Sequence, residues 1–303
     1  MSPRHDRPEA SRLAEPRPIL ARGDLMPDRD LVLALESRLV NAWPSFEVEL
    51  AEGWLLRFAE GYSKRANAAS PILPGARLDA GLIEAILASF AERGVAPCFR
   101  LTGIEDAGAE AALAAHGLVD YDPSLGMVAE LGDELALDSS IRLEPAPKPA
   151  WVAAAADAYG GDKSNRDILG RIVRRIRQPA VFATLSLDEQ DAAWGLAVTE
   201  RGYVGLYDIV VAPDLRSLGL GRRLVTSLMA WGQRAGASRA YLQMREANAV
   251  ADALYRSLGF TTAYRYTHRV GAEDERRRAL TVATSAPAAI SPQLSAKAAD
   301  GSA

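Results

Sequence analysis

Cysteine and histidine are nearly absent: the 303 residues hold one cysteine, Cys98, and three histidines. A lone thiol closes no internal disulfide, and this inventory builds no Cys-based zinc site, so the chain reads as metal-free and cytoplasmic. Basic charge is not in excess either. The formal net charge is -4 and the isoelectric point ≈ 5.6, whereas nucleic-acid binding usually goes with a basic face and a pI above about 9. Nucleic acid is therefore set aside as a partner. The longest uncharged runs fall short of the ~20 residues that span a bilayer core, and mean hydropathy is -0.06, so no membrane partner is expected. The N-terminal residues also lack the apolar stretch of a secretory signal. What remains, 49% hydrophobic and 24% charged, is the composition of a soluble globular enzyme. Domains cluster near ~100–150 residues, so the length predicts two.

Residues 1–30 mix Pro, Arg, Asp and Glu with isolated Leu and Ile and are expected to form a disordered arm. Residues 271–303 combine the charge run Glu273-Asp274-Glu275-Arg276-Arg277-Arg278 with an Ala/Ser/Pro mixture and read as a second tail. Between them, Leu31–Val40 and Leu82–Arg93 carry helical apolar spacing and Gly53–Phe58 looks like a strand. The polar stretch from Leu131 to Ser140 is the expected boundary, giving units at 31–140 and 141–270. The second unit is read as strand Ile141–Leu143, helices near Trp151–Tyr159 and Arg166–Arg177, then strands Val181–Leu187, Ala193–Thr199 and Tyr203–Val211. Helix Gly219–Ala235, strand Ala240–Met244, helix Ala247–Leu258 and a strand pair around Phe260–Val270 complete it. This succession predicts an α/β fold with a mixed sheet. A repeat also emerges: Gly94 and Gly236, Gly117 and Gly259, and Pro71 and Pro213 each lie 142 residues apart in similar surroundings. Each half reads as a copy of one unit, with two unrelated α/β domains as the other reading.

Chemistry concentrates in one stretch. The β-branched run Ile209-Val210-Val211 enters a Pro-punctuated turn, and Arg216-Ser217-Leu218-Gly219-Leu220-Gly221-Arg222 then opens an amphipathic helix. Loop N–H groups, missing Cβ atoms at two glycines and the helix dipole together make an anion cradle. Arg222 and Arg223 follow Gly221 where a P-loop needs Gly-Lys-Ser/Thr, and the third glycine of a dinucleotide fingerprint is missing. Together with Asn248 and the segment Ala253-Leu254-Tyr255-Arg256-Ser257-Leu258-Gly259-Phe260, the loop resembles the acyl-CoA motif of the GNAT superfamily of N-acetyltransferases. The resemblance covers roughly Ile141 to Val270.

It implies that the amides of Ser217 to Arg222, with Arg216, hold the CoA pyrophosphate. It also implies that Ile209, Val210 and Val211 pair with the pantetheine arm on a strand splayed from its neighbour. Tyr255 matches the tyrosine that protonates the departing thiolate, a structural tyrosine being the alternative. Asn248 is either a helix N-cap or a contact to the CoA arm. The family's glutamate base has no counterpart on 203–208, where Asp208 is the one carboxylate, placed by strand alternation opposite Tyr207 and Ile209. It either handles the amine proton or is a satisfied strand-edge group. Tyr207, Gln243, Tyr264 and Tyr266 fall on elements that line acceptor clefts in similar folds, yet read more simply as core, and His268 as structural or exposed.

The repeat places Pro74, Arg77 and Asp79 opposite Arg216, Gly219 and Gly221, and Leu113 opposite Tyr255. The N-terminal half thus reads as a degenerate GNAT-like domain without its own CoA site, in which Trp54, Arg57, Tyr62, Lys64, Arg65 and Asn67 cluster on strand-like segments and form a solvated face, binding the acceptor or shaping the interface being the other reading. The expected protein is a tandem GNAT-like acetyltransferase that moves an acetyl group from acetyl-CoA to a primary amine of a small-molecule or peptide acceptor in a ternary complex, as a monomer or homodimer. A non-catalytic acyl-CoA sensor or interaction module is the other class. Net acidity mildly favours a cationic acceptor.

Overall fold

The computed structural model describes residues 28–158 and 161–273. The expected arm and tail lie outside the described residues apart from 28–30 and 271–273. In chain order the elements are α1 (Arg29–Ala42), β1 (Glu47–Ala51), β2 (Trp54–Phe58), β3 (Ala69–Pro71), α2 (Ala80–Glu92), β4 (Cys98–Leu101), α3 (Ala109–Ala115) and β5 (Leu118–Glu130). There follow β6 (Ile141–Glu144), α4 (Pro149–Asp157), α5 (Lys163–Val173), β7 (Ala180–Leu187), β8 (Gln190–Glu200), β9 (Tyr203–Val211), α6 (Leu220–Arg234), β10 (Arg239–Arg245), α7 (Ala249–Arg256) and β11 (Thr261–Gly271). The strand pair expected around Phe260–Val270 is instead one long strand, β11. It accommodates its neighbours by irregularities between Thr262 and Tyr264 and between Tyr266 and His268.

All eleven strands form one mixed sheet in the order β1-β2-β3-β4-β11-β5-β10-β9-β8-β7-β6. The chain boundary near residue 140 does not separate two sheets. Each half sends its last strand into the other: β11 lies against β4, and β5 lies against β10. Their mutual register has the same 142-residue offset. Val119 pairs with Val270 and Thr261 with Val128; adding 142 to Val119 gives Thr261, and subtracting 142 from Val270 gives Val128. The connection 131–140 is tied along α6, where Asp138 N–H donates to Ser227 Oγ at 3.0 Å and Arg223 Nε donates to Asp138 Oδ2 at 2.6 Å.

Burial decides which helix covers what. α6 shows an apolar stripe of Leu220, Leu224, Val225, Leu228 and Met229 that closes over β7–β10. Its Gly232 lets the helix approach Val204 so closely that a Cβ there would stand 2.5 Å from that residue. α1 is a strap rather than a part of the N-terminal half alone. Its Leu35, Leu39 and Trp43 share a core with Trp151, Leu169, Tyr207 and Tyr264, each buried apolar side chain being worth ~1.5–3 kcal/mol. Arg38 of α1 donates to the carbonyls of Glu200 and Arg201 at 3.1 and 3.0 Å.

The strap is anchored by a buried charge. Arg100 of β4 donates to Glu36 of α1 through two nitrogens, at 2.9 and 2.8 Å. Gln243 of β10 donates to the same carboxylate at 2.9 Å, and the hydroxyl of Tyr264 on β11 donates to it as well. Burial alone would raise the Glu36 pKa, but the Arg100 charge and these donors hold it below the usual carboxylate value. The carboxylate therefore stabilises the fold above the ordinary carboxylate range and loses that contribution as pH falls through its lowered folded value. We predict that Arg100→Met, which leaves Glu36 buried without its cation, costs about 3–5 kcal/mol in urea unfolding and removes the stability maximum near neutral pH. A loss under about 1 kcal/mol would refute the anchoring role.

Candidate active site

β9 and β10 run parallel and are paired from Tyr203↔Arg239 to Leu206↔Leu242. Beyond that point they part, while β9 stays paired with β8 as far as Val211↔Ala193. The β10-facing backbone edge of the strand end that includes Ile209, Val210 and Val211 is thus left open at the mouth of the split. The chain then turns through Pro213–Leu215, a 3-10 turn, into the exposed loop Arg216–Gly219. Ser217 and Gly219 adopt left-handed backbone, with φ of 67° and 76°, which aims successive N–H groups into one concavity. Gly219 starts α6 without a side-chain cap. Among the described residues no acceptor takes the N–H groups of Ser217 to Arg222. Such groups at a helix N-terminus are an anion site.

Three separate pieces of sequence meet here. A Cβ placed on Gly221 would lie 3.4 Å from Leu254 of α7 and 3.8 Å from Val211 of β9. Arg216 Nε reaches the Val211 carbonyl at 3.4 Å and Arg222 donates to Ser257 Oγ at 2.5 Å. Leu220 is buried under the loop, whereas Leu218 is exposed. Asn248 is the N-cap of α7, its side chain accepting from Ala251 N–H at 3.1 Å. Tyr255 is buried and packs edge-on against Phe260. Burial pushes its phenol up to about 12, and the charge of Arg65 limits the rise.

Across the split lies a cavity of about 340 Å³ shared by both halves. Asp208, Gln243, Tyr266 and His268 form one wall; Trp43, Tyr62, Lys64 and Arg65 form another. Simple alternation fails at Asp208. Between the pairs Leu196↔Tyr207 and Trp194↔Val210, two residues of β9 oppose one of β8, and Asp208 takes φ 46°. This is a β-bulge, which re-aims side chains. Tyr207 accordingly packs with Trp43 in the core under α1, while Ile209 joins the core under α6, so the two do not share a face as expected. Asp208 is buried on the cavity wall, where Arg65 NH1 reaches its Oδ1 at 3.4 Å.

Other expectations are also revised. Of the two places expected for His268, structural or exposed, the exposed one is excluded: it is buried in the cavity wall, 3.4 Å from Arg100 NH1. The supposed solvated face of the N-terminal half does not exist: Trp54, Arg57 and Asn67 are buried, and Tyr62, Lys64 and Arg65 line the cavity. Of the six, Tyr62, Lys64 and Arg65 thus fall on the wall between halves, which was the other reading of this cluster. In the N-terminal half, Asp79 caps α2 by accepting from Leu82 N–H at 2.9 Å, so a carboxylate of the chain occupies the helix N-terminus.

Comparison with known proteins names this architecture. The family described as "Probable histone acetyltransferase Rv0428c C-terminal" matches residues 32–269. The chain belongs to the GNAT family of N-acetyltransferases. It is 25% identical over 250 residues to "Uncharacterized N-acetyltransferase YobR" of Bacillus subtilis (strain 168), covering 80% of this chain and 99% of that protein. Over 79 residues it is 37% identical to "[Ribosomal protein bS18]-alanine N-acetyltransferase" of Salmonella typhimurium (strain LT2), 26% of this chain and 53% of that one. The fold matches a GCN5-related N-acetyltransferase from Kribbella flavida with TM-score 0.57 and 18% identity, covering 80% and 95% of the two chains. It also matches one from Sphaerobacter thermophilus with TM-score 0.53 and 14% identity, covering 80% and 93%. This GNAT chain is thus an acyltransferase, and its fold takes an acyl-CoA co-substrate.

The unclaimed N–H groups, the left-handed loop and the open β9 edge fit such a molecule: a phosphate-bearing head at the loop and an extended arm along the strand. The contacts around Gly221 leave ordinary room for a side chain, so the GNAT loop itself tolerates a substitution there. We predict that Gly221→Asp folds normally and weakens CoA binding by on the order of 100-fold in isothermal titration. Unchanged CoA affinity would remove the cradle from this loop.

Proposed function

We propose that the protein transfers an acetyl group from acetyl-CoA to a primary amine of a small acceptor, by direct attack within a ternary complex. The observation that carries this reading is the junction of two compartments at one strand end. On one side of β9 stand the open backbone edge and the uncapped loop; on the other stands the cavity with Asp208 on its wall. Bound acetyl-CoA supplies a thioester whose carbonyl carbon accepts the amine nitrogen as the carbon–sulfur bond breaks. Asp208 holds the amine and takes its proton, with Arg65 orienting the carboxylate. Tyr255 gives its phenolic proton to the leaving sulfur. A phenol near 12 keeps that proton throughout the neutral range, and the Arg65 charge favours the phenolate that forms. Holding both reactants on one strand end supplies rate through orientation.

The central register symmetry supports a duplicated unit as well, the N-terminal copy having lost its cradle to Asp79 and its phenol to Leu113. One CoA per chain follows. The acyl-CoA sensor remains the alternative class, favoured by the confinement of Asp208 beside Arg65, and it is separated from the enzyme by turnover.

Thiol release from acetyl-CoA across an amine panel tests the reading, and tight CoA binding without release on any amine would favour the sensor. We predict that Tyr255→Phe lowers kcat by about 10²–10³-fold with CoA affinity within about two-fold of the parent. With the phenol at about 12, the parent shows no alkaline loss of kcat from this group below about pH 10. Undiminished kcat in the variant would end the general-acid role. Titration that saturates at two CoA per chain would refute the loss of the N-terminal cradle.

A further inference from the structure

We infer that Leu218 and Val250 form an apolar clamp for the purine of the acyl-CoA co-substrate, and so select a donor that carries the whole nucleotide over the same arm without it. The inference rests on the cradle reading of the Ser217–Arg222 loop and concerns the surface beside that loop. Among the described residues, six large apolar side chains are exposed. Four of them, Val48, Leu50, Ile72 and Leu73, lie on β1 or just after β3, toward one edge of the sheet. The other two are Leu218, 61% exposed, and Val250, 84% exposed. A single exposed leucine or valine needs no explanation. Two that come from separate elements and meet beside one ligand site do.

Topology brings them together. β10 runs parallel to β9 and antiparallel to β5, and β11 is antiparallel to β5 as well. The helices that join these strands, α6 and α7, therefore both begin at the end of the sheet where β9 and β10 part, and run the same way. Their relative level is set by Gly221, where a Cβ would lie 3.4 Å from Leu254, and by Arg222, which donates to Ser257 Oγ at 2.5 Å further along. A helical turn is about 3.6 residues, so one turn back toward the split from Leu254 is Val250, on the same face of α7. The corresponding step back from Gly221 leaves α6 and reaches Leu218, the residue before the N-cap Gly219. The two residues thus stand level at the open end of the groove between α6 and α7, beside the unclaimed N–H groups of the loop. Elsewhere the exposed positions of these helices hold polar groups such as Arg222, Arg234 and Arg256.

What covers the pair follows from the order of groups in the co-substrate. With the thioester at the split and the extended arm along the open edge of β9, the pyrophosphate falls at the loop, and the next group outward is a nucleoside. Its phosphates suit N–H donors. Its purine is flat and uncharged, and gains by leaving water for aliphatic side chains. An arm that ends at its inner phosphate reaches the loop but brings nothing for Leu218 and Val250 to hold.

The test uses the full chain, its variants Leu218→Ser and Val250→Ser, and the conservative Leu218→Met; the substituted side chains are exposed, so folding is not at stake. In isothermal titration each serine variant is expected to weaken CoA about three- to ten-fold, and Leu218→Met to stay within about two-fold of the parent. Phosphopantetheine is expected to bind the parent at least about ten-fold more weakly than CoA. Acrylamide quenching of etheno-CoA, whose modified purine is fluorescent, reads the contact directly: the purine is expected to be shielded on the parent and as quenchable as the free ligand on the double serine variant. A bound purine left fully open to acrylamide, CoA affinity unchanged in both serine variants, or phosphopantetheine binding as tightly as CoA would each overturn the clamp. Gly221→Asp keeps the two readings apart: weaker CoA in that variant with full affinity in the serine variants ends the clamp alone, and full affinity in all three ends the cradle with it.

Discussion

A single buried carboxylate holds the two halves in one body. Glu36 lies on α1, yet its donors come from β4, β10 and β11, strands contributed by both halves of the sequence. A charge so buried is costly unless every lone pair is met, and meeting them fixes how α1 crosses the middle of the sheet. The cavity depends on this node, since Arg100 and Gln243 line it directly and Arg100 stacks 3.6 Å from the centre of the Tyr266 ring. Gly126 is part of the same constraint: a Cβ there would stand 2.0 Å from the Tyr264 ring, so that ring reaches Glu36 only over a bare backbone. The polar groups at the cavity floor are therefore structural first, and the groups left for chemistry are those toward β9 and the Lys64–Ala66 turn.

What makes β9 special is the loss of a neighbour. While it is paired with β10 it is an ordinary interior strand, and after Leu206 its edge opens. An unpaired edge inside a protein is a cost, because its polar groups need partners. The bulge at Asp208 is at the same place, and it turns a carboxylate toward the cavity as the edge opens. Split, bulge and uncapped helix follow one another within fifteen residues of chain, between Leu206 and Leu220. The split and the uncapped helix leave polar backbone in need of a partner, and together they make a place that fits a molecule phosphorylated at one end and extended along its length.

Much of this was legible in sequence because it is local. Tyr203–Val211 as a strand and Gly219–Ala235 as a helix follow from β-branched runs, apolar spacing and glycine punctuation, and both elements stand within a residue of those limits. The uncapped loop was equally readable, since glycine spacing states where side chains are missing. The bulge was not, because nothing in Tyr207-Asp208-Ile209 marks the extra residue, and alternation then sent Tyr207 and Ile209 to one face. Nor was the strand exchange, which is set by pairing between residues more than a hundred positions apart. The approach of Arg65 to Asp208 is of the same kind. Polar residues such as Arg57 and Asn67 look solvated in isolation, and only the tertiary fold shows that they brace a turn from inside, Arg57 by donating to the Arg65 carbonyl and Asn67 to that of Ser63.

The two halves answer one physical problem in two ways. A helix N-terminus exposes N–H groups that need an acceptor. At α2 the acceptor is Asp79, covalently part of the chain; at α6 the position 142 residues later is Gly221, and the acceptor must come from outside. A half that supplies its own anion has no reason to bind one, which frees its remaining surface for other use. The same spacing relates Arg65 and Ala66 to Tyr207 and Asp208, so the segments that face each other across the cavity occupy equivalent places in the proposed repeat. In the C-terminal half that segment is a strand end carrying a carboxylate; in the N-terminal half it is a braced turn bearing two cations. Where these equivalent segments face each other, Arg65 of one contacts Asp208 of the other.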